Sequence, residues 1–171
     1  MADFETAFDK MIKREGGFVL STVDKDLGGQ TFAGIARNYH PDWEGWKLID
    51  RNEMDNPQLT QKVREFYRDE FWQQCRGDKI DNQQIAASIF DFSVNAGLRT
   101  AAKLAQLVVD AIPDGIIGPK TLAKLNDCDE ELFISKFALA KITRYTEICK
   151  RNPNQKKFLL GWINRTLGDL V

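Results

Sequence analysis

Residues 85–94 read IAASIFDFSV, and this stretch decides much of the fold because nearly every position in it is apolar. A helix that is apolar on almost all sides has to be surrounded by other elements, so we expect residues 82–95 to form a central helix of the core. The chain has 171 residues, of which 43% are hydrophobic and 29% are charged. These values are typical of a soluble globular protein with one domain, or with two small domains that share an interface.

The sequence on either side of this stretch predicts further helices and little sheet. Helices are predicted near residues 57–73, 99–111, 129–150 and 155–167, and Gly118-Pro119 begins another with proline at its first position. Residues 18–36 are rich in Thr, Val, Phe and Gly and lack a helical period, which indicates a loop or a short hairpin. The predicted fold class is therefore mainly α.

The first helix is amphipathic and leads to an acidic residue. Phe4, Phe8 and Met11 fall at i, i+4 and i+7, the spacing of one buried helix face. Glu15 takes the next position on that face. The glycine pair that follows it ends the helix, because glycine readily adopts the left-handed conformation found at helix C-termini.

The predicted surroundings of Glu15 suit a general acid. An apolar face removes water from the carboxyl group, and the carbonyl end of the helix places partial negative charge beside it. Both effects favour the protonated group, which can donate its proton to a leaving oxygen. Alternatively, Glu15 reaches water at the edge of the apolar face, or it pairs with Arg14 or with a distant lysine.

A second carboxylate, which glycoside hydrolysis usually needs, is available in the segment after the glycine pair. Asp24 and Asp26 are the candidates, and Thr31 is placed to orient a water molecule or a substrate hydroxyl. A base that activates water would lie roughly 6.5–9.5 Å from the acid, and a covalent nucleophile about 5 Å from it. Gly28 and Gly29 would let the chain turn and let a sugar approach closely. The same residues also suit an ordinary turn.

Other residues are candidates for binding sugar. Tyr39, Trp43 and Trp46 could stack on sugar rings, although packing in the core is the commoner role of tryptophan. Asp91 is either a second acid in the cleft or a structural carboxylate with its hydrogen bonds satisfied, and we favour the structural role. Asn95 stands at the end of the same helix and completes the substrate-binding candidates.

Several kinds of site find no support in the sequence. The single histidine excludes a zinc site with several histidines, no serine lies in a GxSxG motif, and neither glycine pair continues into a P-loop. The three cysteines are odd in number and predict free thiols. We therefore expect no metal and no cofactor. No segment has the apolar core of a signal peptide or the length of a membrane span, so we also expect no membrane insertion.

Charge is divided unevenly along the chain. Residues 1–96 carry five more acidic than basic residues, and residues 97–171 carry four more basic than acidic residues. The C-terminal part is therefore the better candidate for contact with an anionic polymer. A solvated surface explains the same difference, and we favour that explanation.

Three short motifs in order resemble those of glycoside hydrolase family 108. They are EGGF at residues 15–18, DLGGQT at 26–31 leading into Gly34-Ile35, and FDFSVNAG at 90–97. This family comprises N-acetylmuramidases and includes phage endolysins and bacterial secretion activator proteins. Residues from about 98 onward, with DGIIGPKT at 114–121, resemble the helical peptidoglycan-binding region that usually follows.

The resemblance implies a lysozyme-like helical domain over residues 1–97 and a peptidoglycan-binding region over 98–171 packed against it. It implies cleavage of the β-1,4 bond between N-acetylmuramic acid and N-acetylglucosamine at the bacterial cell wall or in the periplasm, with Glu15 as the catalytic acid. The segment between Glu15 and Thr31 is about two residues longer than in the family. We favour Asp26 over Asp24 as the partner because its spacing to the Gly-Gly-x-Thr motif matches.

The expected partner is the glycan strand of peptidoglycan, with no nucleic acid, and the expected state is a monomer. Two alternatives stay open at this point. A lytic transglycosylase would use the same glutamate without water, and a non-catalytic accessory protein would only bind peptidoglycan during secretion or wall remodelling.

Overall fold

The computed structural model describes residues 1–22 and 29–168. Its α-helices and strands are, in chain order, α1 (Phe4–Arg14), β1 (Leu20–Thr22), β2 (Gln30–Phe32), β3 (Ile35–Ala36), α2 (Gly45–Asp50), α3 (Pro57–Tyr67), α4 (Gln83–Ala96), α5 (Leu98–Val108), α6 (Pro119–Asp127), α7 (Glu130–Arg151) and α8 (Lys156–Leu167). A π-helical turn (Arg68–Trp72) and two 3₁₀ turns (Gly77–Lys79 and Pro153–Gln155) connect some of them. The fold is mainly α and lysozyme-like, which confirms the predicted class.

Local sequence explains both ends of α1. Asp3 caps the first turn, because its Oδ1 accepts a hydrogen bond of 2.8 Å from the backbone N–H of Thr6. At the other end, Gly16 and Gly17 have φ of +87° and +78°, and the Gly17 N–H returns to the Ile12 carbonyl at 2.9 Å. The predicted glycine stop is therefore confirmed, and it leaves Glu15 at the last turn of the helix.

The segment after α1 forms a small antiparallel sheet, which confirms the predicted hairpin. β2 is the central strand, with β1 on one side and β3 on the other. Thr31 lies opposite Ser21 on β1 and opposite Ala36 on β3. The short strands therefore gather these three residues on one small platform beside the end of α1.

Helix α4 is the centre of the core, as its composition predicts. Every residue from Ile85 to Ser93 is buried, and Asn82 caps the helix by accepting from two backbone N–H groups. The Phe90 ring contacts Phe4 of α1 and Trp72 at centroid distances of 6.0 and 5.5 Å. Through these contacts α4 fixes the position of α1, and with it the position of Glu15.

The predicted helices near 57–73 and 99–111 are both shorter in the structure. Helix α3 gives way to the π-helical turn at Arg68, and α5 ends at Val108, two residues before the left-handed Asp110. These changes shift the ends of the helices without changing their order.

The C-terminal helices fold back on the first half of the chain. Phe137 of α7 contacts Phe92 of α4 at 5.7 Å, and Tyr145 of α7 stacks on Trp162 of α8 at 5.1 Å. Arg14, at the end of α1, donates a hydrogen bond of 3.1 Å to the carbonyl of Gly168 after α8. The end of α8 therefore lies beside the end of α1. Within residues 1–22 and 29–168, no helix combines the length and apolarity needed to cross a membrane.

Candidate functional site

A cleft of about 500 Å³ lies between the end of α1 and the small sheet. Its lining residues are Glu15, Gly16, Val19, Ser21, Thr31, Gly34, Ala36 and Tyr39. Three of the predicted site residues, Glu15, Thr31 and Tyr39, are thus brought together. The glycine turn and the sheet together bring the carboxyl group and the hydroxyl of Thr31 to one cavity.

Glu15 forms an ion pair that the sequence does not predict. Its Oε1 accepts a hydrogen bond of 3.0 Å from Nη2 of Arg165, which lies 150 residues away on α8. The two side chains are only 22% and 21% exposed. The surroundings of Glu15 are therefore not purely apolar, and the cation that the structure places on its carboxylate is Arg165, a partner that the sequence analysis did not consider.

Arg165 also binds Asp91, so that one guanidinium joins two carboxylates. Nη2 lies 3.1 Å from Asp91 Oδ1, and Nε lies 3.3 Å from Oδ2, to which Arg14 also donates at 3.1 Å. Burial lowers the pKa of Arg165, but the negative charges of Asp91 and then Glu15 together have the larger effect. The pKa of Arg165 is therefore raised above its ordinary value. A permanent cation therefore links α8 to both α1 and α4.

Asp91 has the structural role that we favoured. Its side chain is 10% exposed, and two arginines satisfy its carboxylate. It does not line the Glu15 cleft, but it touches the same guanidinium as Glu15. Asn95 is exposed on the last turn of α4, one helical turn beyond Asp91, and does not line the cleft either.

The wall behind Glu15 requires a glycine. Gly34 has φ of +81°, and a β carbon there would lie 2.5 Å from Tyr67 Oη and 3.4 Å from Glu15 Oε2. Tyr67 donates to the Ala33 carbonyl at 2.8 Å. Burial first, and next the charge of Glu15, raise the pKa of Tyr67 well above its usual value, so the phenol stays neutral. The turn can therefore approach the carboxyl group closely only because residue 34 has no side chain.

Some predicted site residues lie elsewhere. Trp46 is 3% exposed and donates to the His40 carbonyl at 2.8 Å, so the hypothesis that it stacks on sugar is wrong. Trp43 is half-buried against Phe32. Tyr39, in contrast, is 64% exposed and lines the cleft, so its ring is accessible from the cavity.

The predicted glycine loop is described only in part. Gly29 has φ of +66°, and a β carbon there would lie 2.9 Å from the Asn38 side chain, so this glycine makes room for Asn38 and does not line the cleft. Asp24, Asp26 and Gly28 lie outside the described residues. Among the residues that are described, no three His, Cys, Asp or Glu side chains form a group that could hold a metal ion.

Arg165 and Tyr67 are the site residues that sequence reasoning missed. Tyr67 shows only a signal of burial, since it lies on the apolar face of α3. Arg165 lies in the last turn of α8, where a basic residue is common, and no local pattern connects it to residue 15.

Comparisons with known proteins divide the chain at the start of α5. The family model described as "Glycosyl hydrolase 108" matches residues 8–97, and the model described as "Predicted Peptidoglycan domain" matches residues 98–167. The solved structure titled "Structure of Brucella abortus SagA" is similar to 98% of this chain over 95% of its own length, with 25% identity and a TM-score of 0.68. No curated protein matches the sequence.

Proposed function

Given that this chain belongs to the glycosyl hydrolase 108 family, we propose that it is an N-acetylmuramidase that acts on peptidoglycan at the bacterial cell wall. The bond cleaved is the β-1,4 bond between N-acetylmuramic acid and N-acetylglucosamine. The observation that carries this proposal is the carboxyl group of Glu15, which lines a cleft of about 500 Å³ together with Thr31 and Tyr39. The C-terminal region would bind the same polymer.

Glu15 is the general acid in this mechanism. Its Oε1 accepts from Arg165, and its Oε2 lies on the side of Gly34. A protonated carboxyl group keeps one acceptor oxygen and gains one O–H donor. Oε1 can therefore stay bonded to Arg165 while Oε2 carries the proton that goes to the glycosidic oxygen. Arg165 orients the acid without taking part in the transfer.

The other groups bind and activate water or sugar. Thr31, at the centre of the sheet, is placed to hold a water molecule or a substrate hydroxyl, and Tyr39 offers a ring for stacking. The base would be Asp26, with Asp24 as the alternative, and it would deprotonate the attacking water. This part of the mechanism rests on sequence spacing.

Glu15→Gln is the decisive variant. A glutamine keeps a carbonyl oxygen for the bond to Arg165 but has no acidic proton, so we expect the fold to persist and turnover to fall by about 10²–10⁴. Glu70→Gln, at an exposed position outside the cleft, serves as the matched control. The measurement is mass spectrometry of soluble products from purified peptidoglycan.

The products separate the possible functions. Muropeptides with a reducing N-acetylmuramic acid end, released by the wild type and by Glu70→Gln but not by Glu15→Gln, would support the proposal. Products with an anhydro sugar would instead identify a lytic transglycosylase.

A non-catalytic accessory role is the second candidate. The observation in its favour is the ion pair to Arg165, which gives Glu15 a structural use without catalysis. Binding of the polymer by all three proteins, with no product from any, would favour this role.

A further inference from the structure

A second and larger cavity lies where the two matched regions of the chain meet. It is a groove of about 750 Å³, and one wall comes from the segment 73–79 after the π-helical turn. The other wall comes from the start of α5 and from the segment 114–117. The groove shares no lining residue with the Glu15 cleft. It therefore offers a separate place for a ligand.

Three cations line the groove. They are Arg76 and Lys79 on one wall and Arg99 on the other, and all three are exposed. Within the described part of the chain, none of them forms a salt bridge. Their donors are available to an anion that enters between the walls.

The two acids of the groove already have hydrogen-bond donors. Asp78 accepts from Trp72 Nε1 at 2.6 Å, and Asp114 accepts from Gln106 Nε2 at 2.8 Å and from the Ile116 N–H at 2.8 Å. The bond from Gln106, followed by that from Ile116, lowers the pKa of Asp114 below its usual value. These carboxylates shape the walls, and the free donors of the groove belong to the cations.

Both walls are held firmly. Gln106 is fully buried, and besides Asp114 it binds the Gly115 N–H at 2.9 Å and the Ile116 carbonyl at 3.0 Å. On the opposite wall, Gly77 packs so closely on the Trp72 ring that a β carbon would lie 2.3 Å from it. A groove with fixed walls loses little entropy when a ligand binds.

Arg76 has an unusual backbone conformation. Its φ is +59°, in the left-handed region where glycine is favoured at the end of a helix. An arginine at this position has a conformational cost that glycine would avoid. Sites that keep such a cost are often functional, and here the residue lines the groove.

The groove also has an apolar part. Ala102 and Ile117 are buried in it, and burial raises the pKa of the Cys75 thiol to about 12, so the floor is uncharged. Ile116 is exposed at its edge and lines an adjoining hollow of about 480 Å³ with the exposed Ile112. A ligand that fits both parts carries negative charge together with small apolar groups.

We propose that this groove binds the carboxylate-bearing peptide that peptidoglycan carries on its muramic acid. The choice of ligand rests on the proposed function, which supplies peptidoglycan as the substrate. Uncharged N-acetyl sugars have no need of three cations, whereas the planar guanidinium of arginine matches a carboxylate with two parallel hydrogen bonds. Binding the peptide here would give the protein a second contact with peptidoglycan, separate from the Glu15 cleft.

The test measures binding by calorimetry on the Glu15→Gln protein, so that hydrolysis does not interfere. The three probes are disaccharide-peptides from purified peptidoglycan, the free peptides, and uncharged oligosaccharides of β-1,4-linked N-acetylglucosamine. Arg76→Gln and Arg99→Gln are added singly and together. Glutamine retains the β and γ carbons, so Arg99→Gln keeps the side-chain carbon that packs under Gly115. Arg51→Gln, exposed and outside both cavities, is the matched control.

We expect the disaccharide-peptides and the free peptides to bind the groove, and we expect any binding of the uncharged oligosaccharides to be the same with and without the arginine substitutions. Each arginine variant should weaken peptide binding about tenfold, the double variant more, and Arg51→Gln not at all. Added salt should weaken binding by the wild-type groove. Arg76→Gly should weaken binding while its thermal midpoint stays the same or rises, because glycine removes the backbone cost.

Three results would overturn the inference. They are binding of the uncharged oligosaccharides that the arginine variants weaken as much as binding of the disaccharide-peptides, peptide binding that the arginine variants leave unchanged, and no binding of either peptide probe. Hydrolysis by the wild type is measured separately. If the protein binds the peptide but releases no product, the muramidase proposal fails and the groove assignment stands.

Discussion

Replacing Arg165 by methionine tests whether the C-terminal helix stabilises the Glu15 site. Methionine keeps most of the side-chain volume and removes the guanidinium. Asp91 then keeps Arg14, and Glu15 loses its cation. In this variant the carboxylates of Glu15 and Asp91, whose side chains are at most about a fifth exposed, would have fewer cationic partners.

The size of the effect follows from this burial. Removing one partner of a fully buried ion pair costs about 3–5 kcal/mol. Because Arg165, Glu15 and Asp91 each keep some contact with water, we expect a loss of about 2–4 kcal/mol in the free energy of unfolding. For a chain of this size that corresponds to a fall of about 5–15 °C in the melting temperature.

The assay is urea unfolding at pH 7, with a second variant and a control. Adding Glu15→Gln to Arg165→Met should restore at least about 1 kcal/mol, because it removes the charge that has lost its cation, whereas Asp91 still has Arg14. Lys47→Met, which breaks an exposed pair with Glu44, should leave the midpoint unchanged. A loss below about 1 kcal/mol for Arg165→Met, or no recovery when Glu15→Gln is added, would refute the assigned role of this network.

Two further predictions concern local geometry. Gly34→Ala should destabilise the protein by about 1–3 kcal/mol and reduce peptidoglycan hydrolysis, because its β carbon meets the Tyr67 hydroxyl and its φ is positive. Gly161→Ala, in open space on a helix, should not destabilise, and equal thermal midpoints for the two alanine variants would contradict this reasoning. Asp114→Asn should destabilise at pH 7 but not near pH 2. The hydrogen bond from Gln106 lowers the pKa of Asp114 in the folded protein. The stabilisation that the Asp114 carboxylate gives the folded protein is therefore fully present above the pKa of the unfolded chain, near 3.8, and is lost as the pH falls through the lower pKa of the folded protein. Urea unfolding of the wild type and the Asn variant at both pH values checks this, and a constant difference between them would contradict it.

Elements with a strong local signal were predicted from the sequence alone. The spacing of Phe4, Phe8 and Met11 and the following glycine pair located α1 and its end, and the apolar run at 85–94 located the central helix. These features depend on helical periodicity and on the conformational freedom of glycine, both of which act within a few residues. The three family motifs then indicated the class of chemistry.

The role of each aromatic side chain was harder to predict. Tyr39 and Trp46 lie seven positions apart in one aromatic stretch, yet one is exposed in the cleft and the other is buried. The difference in exposure between the two rings depends on which other residues pack over each of them. The Trp46 ring is covered because its indole N–H reaches the His40 carbonyl and Arg37 lies over its face.

The composition of the chain and its local patterns were enough to establish a mainly helical protein with an acid at the end of its first helix. The partner of that acid was decided by tertiary structure, since Arg165 reaches Glu15 only after α8 has packed on α7 and returned to the end of α1. The groove between segment 73–79 and α5 also forms only when segments that are distant in the sequence pack together. An ion pair or a cavity formed by distant segments depends on long-range packing, and no periodicity in the sequence records which segments will meet.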